Sequence, residues 1–320
     1  MTPSAPLALD AYLKLPVAEY TWLIDGLIPT GGIVNLFAPS KAGKSFLVLD
    51  LARALSQGDP AWMGHAITNQ AKVLFVQLDT PRSLWIERFE MLKTAGVDFT
   101  TNEITEDTPN SCHYFQVLDM EAVPQPFNLM APETRAWFNA QVCALQPDLV
   151  IIDTLREIHD MDEDKAGPMK VVLGNLVASI TPPDGPRPAL LIVTHSRKES
   201  PKFDGGLMQE GRGSNYLVGR CDTILRLKGK ENADACQLIY KGRRTGHTVK
   251  SLIRDKDTIL WKLKDDPETN ATLAWKADVA FVVRNPEYKK KTNAEKARIL
   301  QSMHPSKKYG TCVSAITRYR

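Results

Sequence analysis

This chain of 320 residues has no apolar run approaching 18 residues, and its N-terminus carries no basic-then-apolar leader pattern. A membrane-spanning helix and a secretory signal are therefore not expected. Cysteine is sparse: Cys112, Cys143, Cys221, Cys236 and Cys312 are scattered, odd in number and form no CxxC pair. This argues against a disulfide framework or a zinc site and fits a reducing, cytoplasmic compartment. Internal repeats and low-complexity tracts are also missing. Net charge is only +3, but it is uneven. From Arg284 onward ten Lys/Arg stand against two acids, a local balance of +8 that leaves −5 for the rest. A basic tail on an acidic body fits either a polyanion contact or a solvated surface segment. The length, with 43% hydrophobic and 24% charged residues, allows one large globular core plus an appendage.

What is present is concentrated in residues 32–54. An apolar run at 33–37 reads as a buried strand, and Ala38-Pro39-Ser40-Lys41-Ala42-Gly43-Lys44-Ser45 follows as a short loop. From Phe46 the apolar residues recur at helical spacing. Strand, loop, Gly-Lys-Ser and helix together form the context of a phosphate-binding loop. Backbone N–H groups and a helix N-terminus would face phosphates, with residues 38–46 as the nucleotide cradle. Lys44 would neutralise the β and γ oxygens of ATP, and the Ser45 hydroxyl would ligate Mg²⁺. Ala38 replaces the usual first glycine. The competing reading is a chance Gly-Lys-Ser on a surface turn.

Further polar residues close apolar runs. Residues 149–152 end in Asp153, a candidate Mg²⁺ ligand on a strand expected to neighbour the loop strand. Residues 73–78 end in Asp79, placed to orient or deprotonate an attacking water; a turn-forming Asp before Thr80-Pro81 is the alternative. Residues 189–194 end in His195, a candidate γ-phosphate sensor or else a surface His. The stretch 196–214 is long, Gly-rich and basic, and Arg197, Lys198, Lys202 and Arg212 are candidate nucleic-acid contacts. Lys241 and Arg243, at the end of a late strand, read either as cations acting in trans or as a basic turn.

The patterns imply an α/β fold. Strand-like runs at 33–37, 73–78, 113–118, 149–153 and 189–194 alternate with helical stretches at 81–95, 132–145 and 168–180. That alternation argues for a mostly parallel central sheet with helices on both faces. Runs at 223–227, 236–241, 247–254 and 258–263 then predict a C-terminal antiparallel β-meander, with Gly242 and Gly246 bracketing a tight turn. The expected organisation is an N-terminal arm (1–20), an ATPase domain (21–265) and a basic C-terminal tail or small helical module (284–320).

From about Trp22 to Leu263 the order of these pieces resembles the RecA-type P-loop NTPase core of the RepA-like plasmid replicative helicases and, more distantly, of DnaB-like helicases. The resemblance rests on Trp22-Leu-Ile-Asp-Gly-Leu-Ile-Pro, the phosphate loop, Val150-Ile-Ile-Asp-Thr-Leu, Thr194-His-Ser-Arg-Lys, Gly211-Arg-Gly-Ser and Lys241-Gly-Arg. It implies ATP and Mg²⁺ at the subunit interfaces of a homo-oligomeric ring, usually a hexamer, with single-stranded DNA in the channel. It also implies replication or recombination proteins as partners. Lys44, Ser45, Asp153 and His195 match the family's loop, metal and sensor positions; Arg212 falls in the channel-loop region, and Lys241 and Arg243 match its trans-acting cations. Asp79 stands where the family generally carries a catalytic Glu, and the basic tail has no counterpart. The reading that follows is a helicase of a plasmid or phage. Its rivals are a recombination-type strand-annealing ATPase, a P-loop small-molecule kinase and a non-hydrolysing DNA-binding scaffold.

Overall fold

The computed structural model describes residues 8–15, 19–97, 99, 114–196, 215–264, 275, 278–279, 282–283, 288, 290–305 and 307–318. A short helix α1 (Leu9–Tyr12) precedes a hairpin, β1 (Trp22–Ile24) and β2 (Ile28–Pro29). Next come β3 (Ile33–Ala38), α2 (Lys44–Gln57), a second hairpin of β4 (Ala61–Trp62) and β5 (His65–Ala66), and β6 (Val73–Gln77). Then follow α3 (Arg82–Thr94), β7 (Phe115–Asp119), α4 (Pro132–Leu145), β8 (Leu149–Asp153), α5 (Ala166–Ile180), β9 (Ala189–His195) and α6 (Asn215–Arg220). Strands β10 (Thr223–Lys228), β11 (Ala235–Gly242), β12 (Thr248–Arg254) and β13 (Trp261–Leu263) lead to helices α7 (Asn293–Met303) and α8 (Tyr309–Arg318). No helix among the described residues is long and apolar enough to cross a membrane.

Among the described residues the main sheet has nine strands in the order β13-β12-β11-β10-β3-β9-β8-β6-β7. From β10 to β7 all neighbours are parallel. The last three strands join antiparallel, so the expected parallel core with a late meander is observed. Strands with both faces covered must be apolar on both faces, which explains the unbroken runs of β3, β8 and β9. Alternate residues serve opposite layers. Val34 and Leu36 of β3 pack with α2, α3 and Trp261, whereas Ile33 and Phe37 pack with α4, α5 and α6. Phe138 of α4 is fully buried in the second layer and meets Phe127 edge-on at 5.7 Å.

Two expectations are corrected. The Asp153 strand does not neighbour the phosphate-loop strand, because β9 lies between them. Helix α5 returns the chain to the slot between β8 and β3, the only kind of position that buries both faces of a strand as apolar as β9. The last meander strand starts at Trp261 rather than Thr258. One Asp255 carboxylate oxygen accepts from the Asp257 and Thr258 N–H groups and the Thr258 hydroxyl, which holds that stretch in a turn.

Packing makes one stability prediction. Phe138→Ala should cost about 3–5 kcal/mol, the usual range for emptying a closed aromatic site, read as a lower denaturant midpoint at unchanged slope.

Candidate functional site

The carboxyl ends of β3, β6, β8 and β9 meet at the N-terminus of α2, the place where open α/β sheets put their ligands. Gly43 caps α2 in a left-handed conformation, φ 84°. A Cβ there would lie 2.5 Å from the Arg254 guanidinium and 2.8 Å from the Trp261 indole nitrogen, so only glycine fits. The Trp261 indole donates to the Gly43 carbonyl at 3.1 Å, and Arg254 stacks on the Trp261 ring at 4.8 Å. The meander therefore clamps the loop from outside.

Lys44 is buried, and its ammonium has three contacts. It donates to the carbonyls of Ala38 (3.2 Å) and Pro39 (2.9 Å), and it meets His195 Nδ1 at 3.3 Å, where a neutral imidazole accepts. Burial lowers the Lys44 pKa, opposed by the negative charges of Asp153 and Asp79. Asp153 is buried, and among the described residues neither carboxylate oxygen has a hydrogen-bond partner at full geometry, the Ser45 hydroxyl being the nearest donor. Burial pushes its carboxyl up to about 6, against the pull of the Ser45 hydroxyl and the Lys44 ammonium. Two orphaned oxygens facing a hydroxyl form a donor set that fits a hard divalent cation such as Mg²⁺. Asp79 is exposed just past β6, on the wall of the same cleft of about 290 Å³.

The structure thus brings Lys44, Ser45, Asp79, Asp153 and His195 together, with Ser40, Lys41, Gly43 and Phe46 along the lining. Ala38, Pro39 and Ala42 contribute the loop backbone beneath. Lys241 and Arg243 are elsewhere. Thr223 pairs with both Val34 and Gly242, so the end of β11 lies at the opposite edge of the sheet, four strand residues or about 13 Å below Ala38. Arg243 is tied there to the carbonyls of Cys221 (3.1 Å) and Gly219 (2.8 Å), and Lys241 is exposed. Arg197, Lys198, Lys202 and Arg212 lie outside the described residues.

Two arginines in the cleft escaped sequence reasoning. Arg254 ends β12, which runs parallel to β3 and so brings it to the phosphate loop. Arg88 of α3 is held over Phe46 (5.3 Å) and Trp85 (4.9 Å); burial lowers its pKa, opposed by Asp153 and Asp79. Its helical position carries no motif signal, so only packing reveals it. Arg254 had one available clue, a cation at a strand end, of the kind that singled out Lys241.

The buried carboxylate makes a signed prediction. The Asp153 folded-state pKa lies above its ordinary value, so its ionisation opposes folding progressively as pH rises from about 4 to about 6 and fully above that. In EDTA and without nucleotide, Asp153→Asn should stabilise the protein at pH 8 by up to about 3 kcal/mol, with the gain vanishing near pH 4. Thermal melts at both pH values check it.

A family profile described as an AAA domain matches residues 2–201. Among solved structures, a DnaB-like replicative helicase, studied with its interactions with primase, superposes with a TM-score of 0.52 at 14% identity. The match covers 79% of this chain and 66% of that one, just under two thirds of the helicase's length. At that identity the likeness is one of fold alone, a mostly parallel central sheet with added antiparallel strands.

Proposed function

The chain belongs to the AAA domain family, and from that premise we propose that it is a ring-forming ATPase of RepA-like type that translocates on single-stranded DNA, a replicative helicase of a plasmid or phage. The observation that carries the reading is the division of charge between the two edges of one sheet. Lys44, Ser45, Asp79, Asp153 and His195 converge at one edge, while Lys241 and Arg243 stand at the other, out of reach of their own phosphate loop. Such cations serve ATP only across a subunit interface, which requires an oligomer whose sites are shared.

In this reading Lys44 exchanges the Ala38 and Pro39 carbonyls for β- and γ-phosphate oxygens. Ser45 and Asp153 hold Mg²⁺, which neutralises phosphate charge when bound. Asp79 orients the attacking water and takes its proton. His195 touches Lys44, so rearrangement of the ammonium is felt at the end of β9. The chain continues directly from there into 197–214, where Arg197, Lys198, Lys202 and Arg212 contact DNA phosphates. Lys241 and Arg243 of the neighbouring subunit meet the charge that develops in the transition state.

A second reading has one observation in its favour. Asp79 is a methylene shorter than Glu and exposed, which suits a strand-annealing ATPase that uses ATP as an assembly switch. Its mark is ATP-dependent DNA binding without unwinding.

ATP turnover with and without single-stranded DNA tests the proposal. Stimulation by DNA is expected, and Lys44→Ala should abolish turnover. Lys241→Ala should lower it by about 10³-fold while nucleotide affinity stays within a few-fold. Arg243→Ala should do the same, but Arg243 also ties two backbone carbonyls, so exposed Lys241 is the cleaner probe. Turnover indifferent to DNA, or normal in both cation variants, overturns the helicase reading.

A further inference from the structure

The C-terminal segment is a folded unit with a chemically distinct outer face. Val279, Val282, Ala297, Leu300, Cys312 and Ile316 form a separate small core between α7, α8 and the residues before them. Thr292 and Glu295 cap α7 reciprocally, and the Tyr309 hydroxyl donates to the Ala294 carbonyl at 3.4 Å, binding α8 to α7. With Cys312 and Ile316 turned inward, α8 shows Gly310, Thr311, Ser314 and Thr317 to solvent. These residues fall at successive turns of one helical face. All are small, and three carry hydroxyls; Thr311 and Ser314 can both donate and accept, whereas the Thr317 hydroxyl already donates to the Val313 carbonyl at 2.8 Å and is left to accept.

The same module carries exposed basic side chains. Lys307 and Lys308 immediately precede α8 and are exposed, as are Lys290, Lys291 and Arg298; Lys296 is half-buried. Two acids among the described residues of the module are engaged within it: Asp278 binds His304 at 2.7 Å, and Glu295 is used in the helix cap. Exposed cations therefore lead into a slim hydroxyl-bearing helix, with the Lys307 ammonium 5.5 Å over the Trp275 ring.

We propose that this module binds double-stranded DNA, with α8 in the major groove and the lysines on the flanking phosphates. The major groove admits an α-helix, and small polar side chains let the helix approach base edges closely. Lys307, Lys308, Lys291 and Arg298 supply the sequence-independent hold. Single-stranded DNA is a poorer fit, because it is bound on aromatic platforms, and among the described residues α8 itself offers only Tyr309, while Trp275 is half-buried beneath Lys307. Duplex RNA has a major groove too narrow for a helix. The contact is separate from the single-strand contacts of the motor and does not depend on them.

Fluorescence anisotropy of the full chain without ATP, on a 20-base-pair DNA duplex, the matching single strand and an RNA duplex, is the test. The duplex DNA should bind best, and its affinity should fall about 10²–10³-fold between 50 and 200 mM salt for four to six phosphate contacts. Lys307→Glu with Lys308→Glu should weaken duplex binding at least tenfold, and Thr311→Glu with Ser314→Glu should do the same from the groove side. Both pairs alter exposed positions and should keep wild-type ATP turnover, with at most a small loss in melting where Lys307→Glu removes the ring contact to Trp275, so the motor reading stands or falls separately. Unchanged duplex affinity in both pairs overturns the proposal. So does an equal loss on the single strand, which would mark a general polyanion surface.

Discussion

The position of one ammonium group organises the nucleotide edge of this protein. Lys44 must lie where a central strand ends, because the carbonyls that hold it belong to Ala38 and Pro39. That places the loop at the end of β3, and β3 sits between β10 and β9 with both faces buried. The same ammonium meets His195 from β9 and feels Asp153 from β8 and Asp79 beyond β6. Four parallel strands are therefore read by a single charge, which only the shared direction of their carboxyl ends makes possible.

The neighbourhood of that charge is unfavourable by itself. Asp153 is buried with no fully formed hydrogen bond among the described residues, and Lys44 and Arg88 are both shifted by burial against their ordinary protonation. Desolvated groups of opposite sign that fall short of pairing leave room for a ligand carrying both signs, such as a nucleotide with its divalent cation. Stability given up at the cleft is stability that ligand binding can return.

The meander does more than extend the sheet. Because β12 runs parallel to β3 while β11 runs antiparallel, one hairpin sends Arg254 to the phosphate loop and Lys241 and Arg243 to the far edge. Trp261 then locks the arrangement by bonding Gly43. The cleft's Arg254 and the distant Lys241 and Arg243 come from adjacent strands and the turn between them, and their separation is set by strand direction.

Much of this was legible in the residues. Apolar runs ending in Asp79, Asp153 and His195 announced strands whose ends carry chemistry, and Gly43-Lys44-Ser45 announced the loop, because local pattern and backbone geometry specify such features within a few residues. Other features were not legible. The insertion of β9 between β3 and β8, the arrival of Arg88 and Arg254 at the cleft, and the shortening of β13 by the Asp255 turn depend on which surfaces bury each other. The elements and the loop chemistry follow from short-range periodicity and the stereochemistry of glycine and lysine, all readable along the chain. Which charges face one another depends on strand order and side-chain juxtaposition, and these arise from packing between residues far apart in the chain.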